Sequence, residues 1–121
     1  MVKKVLLVED EKLIRDLLEK KLKMEGYEVF TAKNGVEALE KMKEVKLDLI
    51  LLDILMPQKN GFEVMEEMQK NEELKEIPII IISNSGQQDE LGRAKDLGVK
   101  DWLIKTEFDP YEVLEKVKKY I

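Results

Sequence analysis

Short apolar runs alternate along the chain with longer segments whose apolar residues recur every three or four positions. Short continuous runs are typical of buried strands, and the recurring pattern is typical of amphipathic helices. The predicted strands are Lys4–Val8, Tyr27–Thr31, Asp48–Leu52, Ile77–Ile82 and Lys100–Ile104. Strands that alternate with helices predict an α/β fold, in which a mostly parallel sheet is covered by helices on both faces.

The predicted helices have apolar stripes and recognisable ends, such as capping residues, terminal glycines and a proline at the first helical position. They comprise a helix from Glu11 closed by Gly26, a helix capped by Asn34, Gly61–Gln69, Gln87–Leu97 closed by Gly98, and a helix that begins at Asp109-Pro110. The residues on their apolar stripes are Leu13, Ile14, Leu17, Leu18 and Leu22; Val36, Leu39 and Met42; Phe62, Met65 and Met68; Leu91, Ala94 and Leu97; and Val113, Leu114 and Val117.

The strand composition predicts their order in the sheet. Strands one, three and four are apolar throughout, whereas Tyr27–Thr31 alternates with polar residues and is predicted to lie at an edge. This fits a doubly wound (βα)5, flavodoxin-like fold with strand order 2-1-3-4-5, built as a single domain over residues 1–121. Ligands of such sheets bind beyond the carboxyl ends of the strands, here between strands one and three.

Polar residues gather at this predicted edge. Glu9, Asp10 and Glu11 follow strand one, Asp53 ends the apolar run of strand three, Ser83 follows strand four and Lys105 follows strand five. Carboxylates that crowd one crevice repel each other, and Mg²⁺ offsets this repulsion because it prefers oxygen ligands. A carboxylate can also attack phosphorus as a nucleophile. The alternative interpretations assign no chemistry to these residues. Asp53 would be a solvated loop carboxylate, and Glu11 would be an acid favoured by the helix dipole.

Composition narrows the classes of function. The chain has 26 acidic and 21 basic residues among 121, a net charge of -5, and neither cysteine nor histidine. Disulfides, thiolate chemistry, zinc fingers and histidine acid–base catalysis are therefore excluded, and the acidic balance disfavours direct binding to nucleic acid. No apolar run approaches a membrane span or a signal peptide, which predicts a soluble cytoplasmic protein without a membrane partner.

Four motifs at the strand ends resemble those of the receiver domain of two-component response regulators. They are VED at 8–10, LLD at 51–53 with MPxxxG at 56–61, IIS at 81–83 and LIK at 103–105. Each motif is weak alone, but the resemblance spans the whole chain. It implies that Asp53 is the phosphoacceptor. It also implies that Mg²⁺ is bound by Asp10 directly, by Glu9 through a water molecule, by Asp53 and by the backbone carbonyl of Leu55.

The resemblance also implies a switch. Ser83 would bind the phosphoryl group, Lys105 would pair with a phosphoryl oxygen, and Trp102 would change rotamer together with Ser83. The group would come from a histidine kinase, a phosphotransfer protein or a small phosphodonor. The chain would catalyse its own phosphorylation and dephosphorylation without being a conventional turnover enzyme. It would signal to a downstream target or an output domain through the face formed by helix four, strand five and helix five, which is also where a homodimer would form.

The chain departs from the family pattern at several positions. Ser83 stands where threonine is commoner, which predicts a looser switch, and Asn84 stands where a small residue is usual. Thr106 follows the lysine in place of proline, which predicts a trans peptide bond there, because a non-proline cis bond costs about 3–4 kcal/mol. Asn60 is a candidate for a left-handed turn. Leu55 and Ser85 occupy positions that tune dephosphorylation, and an apolar Leu55 predicts a long-lived phosphorylated state.

Other functions fit less well. A receiver-like module that is never phosphorylated, and that serves interaction or dimerisation, stays open because of Asn84 and Thr106. A flavodoxin-type phosphate site would need a first loop rich in serine, threonine and glycine, and the loop here is acidic. A dinucleotide site would need a glycine fingerprint that is absent. An aspartate-nucleophile phosphatase would want a second acid where Leu55 stands.

Overall fold

The computed structural model describes residues 2–56, 58–84, 88–105 and 109–121, and within them strands and helices alternate. In chain order the elements are β1 Lys4–Val8, α1 Lys12–Met24, β2 Glu28–Ala32, α2 Gly35–Glu44, β3 Leu49–Asp53, α3 Gly61–Gln69, β4 Ile79–Ser83, α4 Gln88–Asp96, β5 Asp101–Ile104 and α5 Pro110–Tyr120. All paired strands are parallel, in the order β2-β1-β3-β4-β5. The predicted fold class and strand order are confirmed.

The sheet has a core on each face because successive side chains of a strand point to opposite sides. On one face, Val5 and Leu7 of β1 and Leu49 and Leu51 of β3 pack in a cluster with residues of α1 and α5. On the other face, the intervening strand residues pack with α2, α3 and α4. Each central strand is therefore buried on both sides, which is why these strands are continuous apolar runs.

The helix ends carry the predicted signals. The Asn34 side chain accepts a hydrogen bond from the backbone N–H of Glu37, and the Asp109 side chain accepts from the first residues of α5. Gly26 and Gly98 follow α1 and α4 with φ values of 94° and 86°, in the left-handed region that glycine adopts without a steric penalty. By contrast, α1 has no side-chain cap, because Glu11 at its N-cap position makes no capping bond.

Several predicted strand boundaries are wrong by one or two residues. Tyr27 precedes β2 because its N–H donates to the carbonyl of Leu22 in α1 rather than to a strand. β4 begins at Ile79 rather than Ile77, and Pro78 has no N–H to donate to a neighbouring strand. β3 and β5 likewise start one residue later than predicted.

Three residues assigned to buried stripes face solvent instead. Leu13 is 86% exposed and Leu17 is also exposed, because α1 turns only its Leu18 and Leu22 side fully toward the sheet. Val36 is 38% exposed, since α2 contacts the core through residues two and three positions further along. The stripes predicted for α3 and α5 are buried as expected.

Candidate functional site

The carboxyl ends of four parallel strands bring the predicted site residues to one edge of the sheet. Asp53 is the last residue of β3 and Ser83 the last of β4, while Glu9 and Lys105 directly follow β1 and β5. The Glu9 N–H donates to the carbonyl of Ala32 at 3.0 Å, which continues the β1–β2 ladder by one residue. The backbone N–H of Glu9 is therefore paired with β2 in the same way as a residue of β1.

Strand alternation decides which face each of these side chains takes. Asp53 continues the side of Leu49 and Leu51, which faces α1 and α5. Ser83 continues the opposite side, which faces α2, α3 and α4. Trp102 packs against the core cluster on that same side. The site thus has an acidic part, which contains Asp53 on the face of the sheet covered by α1 and α5. It also has a hydroxyl part, which contains Ser83 on the face covered by α2, α3 and α4.

Lys105 is the centre of the acidic part. Its Nζ lies 2.9 Å from Glu9 Oε2, 3.0 Å from Asp53 Oδ2 and 3.3 Å from Glu11 Oε1. The Lys105 side chain is only 3% exposed, and Asp53 is 2% exposed. A buried ammonium shared by three carboxylates leaves this part of the site with more negative than positive charge, because one lysine offsets only one of them.

This excess of negative charge shifts the pKa values of the group. Burial, with the neighbouring Glu9 carboxylate as the next cause, raises the pKa of Asp53 to about 8 despite the contact with Lys105. Burial also raises the pKa of Glu9, although Lys105 opposes the shift. The pKa of Lys105 is raised as well, since burial, which would lower it, is outweighed by Glu9 and Asp53. The lysine therefore stays charged while the two buried acids compete for it.

The donor set fits a hard divalent cation. One carboxylate oxygen from each of Glu9, Asp10 and Asp53 lies within 4.8 Å of the others. Glu9 Oε1 is buried and has no hydrogen-bond partner among the described residues, and such an unsatisfied oxygen is rare in a folded protein. Asp10 is exposed, so the cluster is open to solvent on one side. These residues can hold Mg²⁺, which prefers a few carboxylates with water in its remaining positions.

The loop after β3 passes very close to the site. The Gly61 N–H donates to the carbonyl of Ile54 at 2.9 Å, and a Cβ at Gly61 would lie 2.6 Å from the carbonyl oxygen of Asp53. Glycine is therefore required there by close packing. Leu55, two residues after the phosphoacceptor candidate Asp53, is 66% exposed.

The left-handed turn predicted at Asn60 is wrong. Asn60 has a φ of -78° and forms a reciprocal capping box with Glu63 at the start of α3. Gln58 instead has the positive φ, at 66°. An asparagine directly before a helix can cap the first turn with its side chain, and this use outcompetes the turn conformation.

The hydroxyl part of the site is joined to β5. Ser83 is buried, and its carbonyl accepts the N–H of Lys105 at 2.7 Å. Trp102 is half-buried beside a groove of about 500 Å³ that Leu91 and Ala94 of α4 also line. Asn84 is exposed. Pro57, Ser85 and Thr106 lie outside the described residues, as does the peptide bond between residues 105 and 106.

Two contacts were missed from the sequence. Glu11, interpreted as an acid serving the helix dipole, reaches Lys105. Arg15, which belongs to none of the four motifs, donates through its side chain to the backbone carbonyl of Glu9. The signal for Glu11 was its place directly after the acidic pair. The signal for Arg15 was its place one helical turn into α1, from which a long side chain can reach back over the loop.

Comparison with known proteins identifies related folds and sites. Residues 5–118 match the family model described as the response regulator receiver domain. The chain is similar to the chemotaxis protein CheY4 of Vibrio cholerae, with 31% identity over 100% of both chains and a TM-score of 0.93. Among the described helices, none combines the length and the apolar composition needed to span a membrane.

Two further solved structures bear on the site. A receiver domain of a sensor histidine kinase from Pseudomonas aeruginosa has a magnesium ion coordinated in its active site cleft. It is 25% identical over 99% of this chain and 98% of that chain, with a TM-score of 0.88. The phosphorylated cyanobacterial phytochrome response regulator RcpA is 31% identical over 98% of this chain and 91% of that chain, with a TM-score of 0.85.

Proposed function

This chain belongs to the response regulator receiver family, and on that premise we propose that Asp53 accepts a phosphoryl group. The observation that carries the proposal is the burial of Asp53 at the end of β3, within 3.0 Å of the Lys105 ammonium and beside Glu9 and Asp10. A carboxylate in this setting is not an ordinary surface group, because its charge is stabilised by one lysine and opposed by two neighbouring acids.

The transfer is a nucleophilic displacement at phosphorus. An Asp53 carboxylate oxygen forms a bond to phosphorus as the bond to the donor breaks, and the leaving group keeps the electron pair of that bond. In a phosphohistidine donor the broken bond is P–N, and in acetyl phosphate it is P–O. Lys105 then pairs with a phosphoryl oxygen, and the Ser83 hydroxyl donates to another.

Glu9, Asp10 and Asp53, with the backbone carbonyl of Leu55, are the residues that would hold Mg²⁺. When bound, the ion offsets the negative charge of the carboxylates and of the incoming phosphoryl oxygens. The buried Glu9 Oε1, which has no hydrogen-bond partner among the described residues, supports this assignment. The magnesium ion in the related receiver domain from Pseudomonas aeruginosa supports it further.

The response to phosphorylation would run through β4 and β5. Ser83 moves toward the phosphoryl group, Trp102 changes rotamer with it, and the surface of α4, β5 and α5 changes with them. The supporting contacts are the hydrogen bond between the Lys105 N–H and the Ser83 carbonyl, and the groove beside Trp102 that gives its ring room. This surface would bind a downstream target or an output domain, or a second copy of the chain.

The donor in the cell would be a histidine kinase or a phosphotransfer protein that carries a phosphohistidine. We infer a cytoplasmic location, where such donors present their phosphohistidine. Both proposals rest on the membership of the family and on the phosphoacceptor geometry at Asp53.

The test is intact-mass measurement after incubation with Mg²⁺ and acetyl phosphate, with Trp102 fluorescence recorded in parallel. We expect the wild-type protein to gain the mass of one phosphoryl group and Asp53→Asn to gain none. Asp96→Asn is the control, because Asp96 lies in exposed surface at the end of α4. It should be modified like the wild type.

The outcomes separate the two functions. A change in Trp102 emission that accompanies the mass gain would support the proposed switch. A mass gain that persists in Asp53→Asn would contradict the assignment of the phosphoacceptor. Absence of any gain, with no response to beryllofluoride, would instead favour the interaction module that is never phosphorylated.

A further inference from the structure

The loop between β1 and α1 carries two of the three acids of the metal cluster, Glu9 and Asp10. The side chain of Arg15 in α1 contacts the backbone carbonyls of this loop. We infer that Arg15 is a positioning residue for this loop, which fixes Glu9 and Asp10 in the orientation that binds Mg²⁺. The inference rests on the proposed function, because that function supplies the reason for a metal here.

The contacts of Arg15 with the loop are consecutive. Its Nη1 donates to the carbonyl of Glu9 at 2.9 Å and lies 3.5 Å from the carbonyl of Asp10. Its backbone N–H donates to the carbonyl of Glu11 at 2.9 Å. The bond to Glu11 is the backbone bond that any residue at position 15 of α1 would make, so the contacts specific to the arginine side chain are those with the carbonyls of Glu9 and Asp10.

These bonds hold the backbone from which the Glu9 side chain extends. The carbonyl of Glu9 is tied to Arg15 and its N–H to Ala32, so the backbone of this residue is fixed from both sides. Oε2 of the Glu9 carboxylate accepts a hydrogen bond from the Glu11 N–H at 3.1 Å and pairs with the Lys105 ammonium at 2.9 Å. Glu9 Oε1 is left without a hydrogen-bond partner among the described residues, and its neighbours in the metal cluster are carboxylates.

The charge of Arg15 acts against this positioning effect. A guanidinium close to a cation site repels the cation, so removal of the charge alone would make Mg²⁺ bind more tightly. Loss of the hydrogen bonds would instead loosen the loop and weaken Mg²⁺ binding, as is usual for residues that orient metal ligands. The two effects differ in sign, and the measured direction therefore identifies which one governs.

The experiment compares Arg15→Met, Arg15→Lys and the control Lys12→Met by calorimetric titration with MgCl₂. Lys12 is an exposed cation in the same turn of α1 that pairs with Asp16 and contacts no loop carbonyl among the described residues. Unfolding of each variant in the presence of EDTA reports any loss of stability separately from metal affinity.

We expect Arg15→Met to weaken Mg²⁺ binding about 10- to 100-fold, the range for residues that hold metal ligands in place. Arg15→Lys keeps the charge but has no planar fork of donors, and we expect it to bind about threefold more weakly than the wild type. Lys12→Met should bind slightly more tightly or unchanged, because only a screened charge is removed.

An unchanged or tighter dissociation constant in Arg15→Met would overturn the inference, as would equal weakening in Lys12→Met. If Arg15→Met does not fold, Arg15→Lys decides the matter, and wild-type affinity in that variant overturns the inference. A wild-type protein that fails to bind Mg²⁺ would overturn the metal site itself, and with it the positioning role. Failure of the proposed function is thus distinguished from failure of the role of Arg15.

Discussion

Aspartates lie at both ends of the sheet, and the two ends treat them differently. At the amino end, Asp48 precedes β3 and accepts the backbone N–H of Lys4 at 2.8 Å. Asp101 opens β5 and pairs with Lys116 at 3.0 Å, while it also accepts from its neighbour Trp102. Each of these aspartates has its own donors and is partly open to water.

At the carboxyl end, Asp53 shares its one lysine with two other acids and is almost fully buried. The shifts in pKa show the contrast. Burial acts to raise the pKa of Asp101, but the hydrogen bonds from Lys116 and Trp102 and the charge of Lys116 together outweigh it, and the net pKa is lowered. The pKa of Asp53 is raised to about 8 by burial and by Glu9.

The difference shows what each end contributes. At the amino end, Asp101 stabilises the fold through local pairing, in keeping with its lowered pKa. Burial and the neighbouring Glu9 disfavour the charged form of Asp53 in the absence of a cation, and a buried group whose charge is so poorly compensated points to function. Matched substitutions at the two ends therefore test this difference.

The largest effect is expected for Lys105, and Lys116 at the amino end is its matched comparison. Lys105→Met would leave Glu9 and Asp53 buried without their ammonium, and removing one partner of a buried pair costs about 3–5 kcal/mol in the free energy of unfolding. We expect a cost of about 3 kcal/mol, at the lower end of this range, because Asp53 can take up a proton and so limit the cost. Lys116→Met, at the amino end, should cost about 1 kcal/mol or less, because the Lys116–Asp101 pair is partly exposed.

Urea denaturation at pH 7 without divalent cations measures both lysine variants. Addition of Mg²⁺ should narrow the deficit of Lys105→Met and leave that of Lys116→Met unchanged, since the ion supplies positive charge only at the carboxyl end. Equal losses for the two variants would contradict the proposed difference between the ends.

Substitution of the aspartates themselves should change stability in opposite directions. The raised pKa of Asp53 means that its contribution is neutral at low pH and becomes unfavourable as pH rises above the ordinary value of 3.8. Asp53→Asn should therefore raise the free energy of unfolding at pH 7 by about 2 kcal/mol, roughly half the full linkage value, because Lys105 loses one partner. Asp101→Asn should lower it by about 0.2–1 kcal/mol.

The same denaturation series repeated at pH 5 checks the sign for Asp53. The gain in Asp53→Asn should shrink there. Ionisation of this carboxyl in the unfolded chain favours unfolding more with each pH unit above 3.8, and pH 5 is closer to 3.8 than pH 7 is. A destabilised Asp53→Asn at pH 7 would show that Lys105 satisfies Asp53 as fully as Lys116 satisfies Asp101.

The fold could be predicted from the sequence because its signals are local. The apolar runs of β1, β3 and β4 and the caps at Asn34 and Asp109 each specify their own element. The errors fall where a backbone group bonds to a different element, as at Tyr27, or where an exposed apolar residue continues a stripe, as at Leu13. Neither can be recognised before the elements are packed.

The site could be predicted only as a set of residues at one sheet edge. Strand order alone brings Glu9, Asp53 and Lys105 together, because parallel strands end on the same side. The sharing of Lys105 among three acids, and the hold of Arg15 on the loop carbonyls, depend on the loop path and on side-chain rotamers. These are set by tertiary packing, and no periodicity in the sequence encodes them.

The smallest expected effect separates chemistry from stability at the carboxyl end. Leu55 is exposed two residues after Asp53, so Leu55→Asn should leave the free energy of unfolding within about 0.5 kcal/mol of wild type. In the phosphorylated protein, the amide can hydrogen-bond an attacking water that leucine cannot hold. Phosphate loss should then be about 3- to 10-fold faster, equivalent to a barrier lowered by about 0.6–1.4 kcal/mol.

Intact mass followed over time after donor removal measures the rate of phosphate loss, with Leu17→Asn at an exposed position of α1 as the control. An unchanged rate in Leu55→Asn would mean that water reaches the phosphoryl group by a path that Leu55 does not cover.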